Sequence, residues 1–322
     1  LNILKENNVE YNSIKFLASS RSAGSQLEFK GEQHTVIEAT DDVFDDIDIC
    51  LASAGGETSK RFAPVAAKKG CVFIDNSSAF RMEKDVPLVI AGVNDEDLKS
   101  HKGIIANPNC STSQLMLPLK ALDEKFKVKR MIVSTYQAVS GAGLKAINEL
   151  TENTKTNLVG MPYEPKAFKY EIGFNVIPQI DVFCDNGYTK EEMKVTNETR
   201  KILHFDESVK ISCTAVRVPV YIGHSEAVSV EFENNVNANE ARKVLKQAWG
   251  VEVVDDIQNF KYPTPKDAAG KNPVYVGRIR NSIAFDNGLD FFCVADNLRI
   301  GAALNTVRIA QSVIKMNLWQ EK

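Results

Sequence analysis

Apolar positions in the first third of the chain fall in short runs broken by polar turns. Residues 14–19, 34–39, 47–52 and 71–75 each read as a strand, rich in Ile, Val, Phe and Leu. Residues 41–46 read as a helical turn, and residues 58–69 as a helix closed by Gly70. The opening residues 1–8 read as the end of an amphipathic helix stopped by Asn7 and Asn8. A short strand at 104–106 runs through a turn into a helix at 113–125. Strands alternating with helices predict a parallel α/β sheet.

Beyond Lys129 the pattern lengthens. Residues 130–138, 212–218 and 226–232 read as longer, β-branched strands, and 274–280 and 290–295 as two more. Helices are expected at about 144–156, 189–203 and 238–248, with a last amphipathic helix at 300–318. This texture predicts an α+β domain with a mixed sheet. The expected division is 1–109 plus 298–322 for the α/β domain, and 110–297 for the α+β domain.

Bulk properties narrow the partners. Lys and Arg number 39 against 42 Asp and Glu, a net charge of -3, with no basic tract to hold nucleic acid. Apolar runs are too short to span a membrane, and no signal peptide is visible, so a cytoplasmic protein is expected. The six cysteines form no C-x-x-C pair and no disulfide scaffold, and no metal site is expected.

One cysteine stands apart. Cys110 lies where a strand meets a helix, after Asn107, Pro108 and Asn109. The positive end of a helix lowers a thiol pKa, and its N–H groups are candidate donors to an oxyanion. That position alone fits a protease, a thiolase or a dehydrogenase, or a cysteine that simply caps or packs. Of the four histidines, His34, His101 and His204 read as surface residues, and His224 as a turn residue between two core strands that can reach a site.

Three segments in order change this picture: 107–112 (NPNCST), 136–143 (YQAVSGAG) and 217–226 (RVPVYIGHSE). With DNSSAFR at 75–81, FNVIPQIDVF at 174–183, EEMKVTNETRKIL at 191–203 and ADNLRIGAALN at 295–305, nearly the whole chain resembles the aspartate-semialdehyde dehydrogenase family. The resemblance implies a Rossmann-type cofactor domain and a catalytic and dimerisation domain, with a homodimer as the assembly. It implies NADPH-dependent, phosphorylating interconversion of aspartyl phosphate and aspartate semialdehyde in aspartate-family amino-acid biosynthesis. Cys110 would be the thioester-forming nucleophile, His224 the acid/base and Gln137 a substrate-orienting residue. Asn109, Glu191, Arg217, Arg81 and Lys194 would bind substrate: Glu191 its amine, Arg217 its carboxylate, Arg81 and Lys194 its phosphate. Related phosphorylating dehydrogenases of the acetylglutamyl-phosphate reductase or glyceraldehyde-3-phosphate type are the nearest alternatives, and a cofactor-free dimeric scaffold a more distant one.

The cofactor reading rests on the turn after the strand at 14–19. Arg21 and Ser22 stand there without an acidic residue, which suits the 2′-phosphate of NADP. The resemblance adds Ser53, Ala54, Gly55, Ser140, Gly141 and Asn297 as cofactor contacts. A Rossmann domain begins with a strand and a Gly-rich turn, and neither precedes Leu1 here. The native product is therefore expected to be longer.

Overall fold

The computed structural model describes residues 1–319 and divides into two compact units. Unit 1 holds residues 1–91 and 95–107 and the chain from Ala303 onward; unit 2 holds 92–94 and 108–302. A parallel sheet in the first and a larger mixed sheet in the second give a Rossmann-type α/β unit and an α+β unit.

Unit 1 opens with helix α1 (Asn2–Glu6), strand β1 (Leu17–Ala18), the hairpin β2 (Gln26–Phe29) and β3 (Glu32–Thr35), and strand β4 (Ile37–Glu38). The single strand expected at 34–39 is in fact two. Its first half pairs antiparallel with β2, its second half parallel with β1. The hairpin turns at Lys30 and Gly31, both at positive φ, which is the geometry a two-residue hairpin requires.

Strands β5 (Ile49–Ala52), β6 (Val72–Asp75) and β7 (Ile104–Ala106) form a parallel sheet, with helix α2 (Gly56–Lys68) between the first two. The alternation of β6 divides the core. Val72 and Ile74 pack with Leu98, Ile105, Ile309 and Val313, while Cys71 and Phe73 pack with Phe44, Phe62 and Ala66. A strand buried on both faces reads as a continuous apolar run. At its end Asp75 is fully buried and accepts from Ser59 Oγ, Ser77 N and Ser77 Oγ at 2.6, 2.9 and 2.7 Å.

Unit 2 begins with helix α3 (Cys110–Phe126), then strand β8 (Val128–Gln137), helices α4 (Leu144–Leu158) and α5 (Lys190–Leu203), and strands β9 (Lys210–Arg217) and β10 (His224–Phe232). Helix α6 (Ala238–Gln247), strand β11 (Val251–Val253), helix α7 (Pro265–Ala268) and strands β12 (Val274–Asn281) and β13 (Gly288–Ala295) complete it. The sheet order is β11-β12-β13-β10-β8-β9, and α3, α5 and α6 pack on it. Pairing is antiparallel except for β8 with β9 and β11 with β12. A π-helical turn (Arg299–Ala303) leads into α8 (Leu304–Lys315), which belongs to unit 1.

Two histidines are less superficial than expected. His34 is half-buried against Phe16 and Phe29, and His101 is half-buried with Nε2 2.9 Å from Leu318 O. His204 is exposed at the left-handed end of α5.

Candidate active site

Cys110 is the first residue of α3, three positions earlier than the apolar pattern suggested, because Asn109 caps the helix. Asn109 Oδ1 accepts from Ser111 N at 2.9 Å and Thr112 N at 3.4 Å, and Ser113 N turns back to Asn109 O at 2.8 Å. Those three helix N–H groups are therefore committed, which corrects the expectation that they serve an oxyanion. The dipole of this 17-residue helix still favours negative charge on the sulfur. None of the six cysteines is in a disulfide. Burial pushes the Cys50 thiol up to about 12, and drives Cys293 well above its ordinary value.

Helix α5 supplies the turn's second support. Glu198 Oε2 accepts from Asn109 N at 2.6 Å, and Glu191 Oε1 accepts from Asn109 Nδ2 at 2.8 Å and from Gln137 Nε2 at 3.1 Å. Lys194 Nζ donates to Glu191 Oε2 at 3.1 Å and to Asp181 Oδ2 at 2.9 Å. Burial alone would raise the Glu191 pKa; Lys194, Asn109 and Gln137 outweigh it and hold the carboxyl below the usual range. Its own start is fixed by a capping box between Thr189 and Glu192. Glu198 and Asp181 escaped the sequence reading. Glu191, Lys194 and Glu198 share a face at i, i+3 and i+7, a pattern that could have exposed the former.

The sheet delivers the remaining groups. Gln137 ends β8 beside Arg217 at the end of β9, and both are buried. Arg217 Nη1 donates to Ala138 O at 2.7 Å. Burial lowers the Arg217 pKa, while the charges of Cys110 and Glu191 work to keep it protonated, so the three lie within electrostatic reach. Gly141 stands close by: a Cβ there would lie 3.2 Å from Arg217 Nη1 and 3.3 Å from His224 Nε2.

His224 opens β10, opposite Ala295, and is fully buried, whereas the sequence had placed it in a turn. Ala138 N donates to its Nδ1 at 3.0 Å. A backbone N–H can only donate, so Nδ1 carries the lone pair and the neutral ring carries its proton on Nε2. Nε2 has no hydrogen-bond partner among the described residues. Burial first, and Arg217 second, hold the pKa well below 6.5, so the ring is neutral at physiological pH. A neutral ring in this tautomer donates from Nε2. The base expected from the sequence would need that nitrogen bare, and Ala138 N–H opposes it.

Asn297 and Ser140, expected as cofactor contacts, are buried and bonded to each other, with Asn297 Nδ2 donating to Ser140 Oγ at 3.0 Å. Asn297 Oδ1 also accepts from Gly223 N at 2.9 Å, fixing the residue before His224.

The other expected residues lie in unit 1. Arg21 and Ser22 are exposed in the turn after β1, and Ser53, Ala54 and Gly55 are exposed before α2. Gly55 caps α2 at φ +88, with no side chain bonded to the helix N–H groups. An uncapped helix start and a basic turn are features that fit a dinucleotide's phosphates. Arg81 is buried, its Nε donating to Asn107 O at 2.8 Å and its Nη2 to Asn76 O at 3.0 Å.

Known proteins agree with this architecture. Residues 1–101 match the model of the semialdehyde dehydrogenase NAD binding domain, and residues 119–300 that of the semialdehyde dehydrogenase dimerisation domain. An aspartate-semialdehyde dehydrogenase of Aquifex aeolicus is 52% identical over 99% of this chain and 94% of its own length. The chain belongs to the aspartate-semialdehyde dehydrogenase family. Among solved family members, aspartate semialdehyde dehydrogenase II from Vibrio cholerae, complexed with ASA, is 43% identical with a TM-score of 0.94, over 98% of this chain and 94% of that one. The enzyme from Candida albicans, solved with NADP, is 25% identical with a TM-score of 0.78, over 98% of this chain and 95% of that one. Within this family the capped cysteine of α3 and the buried histidine of β10 form the candidate catalytic pair.

Proposed function

We propose that the chain reduces aspartyl phosphate to aspartate semialdehyde with NADPH, reversibly, as a cytoplasmic homodimer. The observation that carries this reading is the joining, in one unit, of a helix-start cysteine, a buried histidine with an unpartnered Nε2, a buried Arg217 and a Glu191 paired with Lys194.

The Cys110 thiolate attacks the acyl carbon, the acyl–oxygen bond breaks and phosphate leaves, giving a thioester on Sγ. Arg217 takes the substrate carboxylate and Glu191, ionised, its ammonium; Gln137 and Asn109 hold Glu191 in place. Lys194 and Arg81 are the cations assigned to the phosphoryl group, and Lys194 must share its ammonium with Asp181 and Glu191. The reduced nicotinamide, when bound, supplies the hydride. His224 donates from Nε2 to the resulting alkoxide, which expels the Cys110 thiolate as the aldehyde forms. No net proton transfer to the ring is required in this sequence, so a neutral histidine that only donates suffices.

Arg21 and Ser22 are the residues we assign to a 2′-phosphate, and Ser53, Ala54 and Gly55 to further cofactor contacts. The Candida albicans enzyme solved with NADP supports the choice of NADP. Ser140 and Asn297 serve the cofactor through the strand they hold, with Gly141 keeping the floor clear.

The test is NADPH formation from aspartate semialdehyde, phosphate and NADP. Wild type should turn over and form a Cys110 thioester with substrate; Cys110→Ser should lose about a thousandfold or more in kcat while keeping its fold. Equal activity in the serine variant, or no activity in wild type, would defeat the reading.

A further inference from the structure

Inward-facing side chains of the unit 2 sheet form rows across the strands. The row that carries Gln137, Arg217 and His224 is followed by Thr135, Ala215, Glu226 and Cys293. The next is Val133, Val228, Phe291 and Cys213, mostly apolar. Glu226 is thus an acid set in a core row, two residues from His224 on the same strand face, and it is fully buried.

Its partners are poor ones for a charge. Oε2 accepts from Cys293 Sγ at 3.3 Å, and Oε1 has no hydrogen-bond partner among the described residues. From α3, the buried Gln114 side chain lies near the carboxyl, one helical turn beyond Cys110, but neither of its amide atoms has a hydrogen-bond partner among the described residues. Thr135, opposite on β8, donates from Oγ1 to Gln137 Oε1 at 3.0 Å. The ionisable groups around this row are the thiols Cys293 and Cys213 and, from α5, the carboxyls of Glu191 and Glu192, the latter accepting from Ala215 N at 2.9 Å; none is cationic. A carboxylate here would be stripped of water with no counter-charge, whereas a carboxylic acid is not.

We propose that Glu226 is a positioning residue that works as a neutral carboxylic acid, locking the row beneath Cys110, Gln137 and His224 and thereby setting nucleophile against histidine. It sits on β10 with His224, is hydrogen-bonded to β13 through Cys293, and packs towards α3 at Gln114 without a hydrogen bond. The inference rests on Cys110 and His224 being the catalytic pair, but its first test does not need activity.

Burial pushes the Glu226 carboxyl from its ordinary 4.5 up to about 8, with the Cys293 thiol and the Gln114 amide opposing. A folded-state pKa raised above the unfolded one means the native state holds an extra proton between those values. Stability from this group is complete below the lower value and is lost as pH rises through the upper one. Glu226→Gln keeps the shape and abolishes the titration. The melting temperature of wild type should therefore fall relative to Glu226→Gln as pH rises from about 5 to about 8.5. Parallel melting profiles across that range would overturn the neutral acid.

Kinetics test the positioning. Glu226→Gln should keep kcat at pH 7 within about threefold of wild type, and Glu226→Ala should lose about ten- to a hundredfold in kcat with KM little changed. A Gln variant as slow as the Ala variant, or an Ala variant with wild-type kcat, would overturn it. If Glu226→Ala does not fold, a slow Glu226→Gln still refutes the proposal and a fast one sustains it. Inactive wild type with divergent melting profiles would sink the catalytic reading alone.

Discussion

Cys110 is hemmed in by a glycine as closely as by its cap. Gly301, in the π-helical turn, approaches so near that a Cβ would lie 2.5 Å from Cys110 Cβ and 2.7 Å from its Cα. Real side chains do not tolerate that distance, and both contacts are to fixed parts of the helix start. Gly301→Ala should push the nucleophile aside. We expect kcat to fall about a hundredfold with KM nearly unchanged, at a folding cost of about 1–3 kcal/mol. Steady-state kinetics with iodoacetamide labelling of Cys110 checks this; wild-type kcat would show that the turn simply gives way. Arg21 makes the opposite kind of claim, since it is exposed and packs nothing away. Arg21→Ala should raise the KM for NADPH about tenfold or more and leave that for NADH nearly unchanged. Equal loss with both cofactors would assign Arg21 to the turn instead. At this scale the sequence names residues whose chemistry is local. Cys110 announces itself by a strand-to-helix junction, and Arg21 by the lack of an acid beside it. Gly301 and Glu226 do not, because each matters through a neighbour distant along the chain, Cys110 and Cys293. The tautomer of His224 is likewise invisible until Ala138 N is seen to face Nδ1.

Elements are legible where their pattern is long. The helices α4, α5 and α6 and the strands β8, β10, β12 and β13 lie within a few residues of where periodicity put them. Helix α5 carries its own start signal, Thr189 followed three residues later by Glu192, and the structure contains the complete capping box. The hairpin of β2 and β3 was missed because its eight residues include only Leu27 and Phe29 as large apolar side chains, too few for a period-2 signal. Strand β11 is three residues long and is held by parallel pairing to β12, a long-range contact that local pattern does not encode. The start of α3 was misplaced for a different reason. Cys110, Ser111 and Thr112 are poor helix formers, and a helix begins there because Asn109 satisfies the first N–H groups and α5 anchors Asn109. The same support that makes the helix start is the one that presents the nucleophile, so local propensity fails at the functional position.

For the whole molecule, the remaining question is how the mixed sheet of unit 2 meets water. One face is filled by α3, α5 and α6. The other carries Ile132 and Tyr136 on β8, exposed by 51% and 40%, with the ring of Phe292 on β13 tilted against Tyr136 at 6.2 Å between centroids. A solvated sheet face is expected to be polar, and exposed apolar side chains on it are what a covering partner would explain. The match of residues 119–300 to a dimerisation domain favours a second copy of this chain as the cover. A two-fold axis over the sheet would set each patch against its own image, so a single charge introduced there is met by a like charge from the partner. Ile132→Asp is the test. Ile132 points away from the core row of Val133, opposite Ser229, so the change leaves the inner packing intact. Sedimentation velocity at micromolar concentration should give a dimer for wild type and a monomer for Ile132→Asp, with unit 2 still folded by circular dichroism. A dimer that survives Ile132→Asp unchanged would place the interface elsewhere on the molecule, and a monomeric wild type would remove the need for any cover on this face.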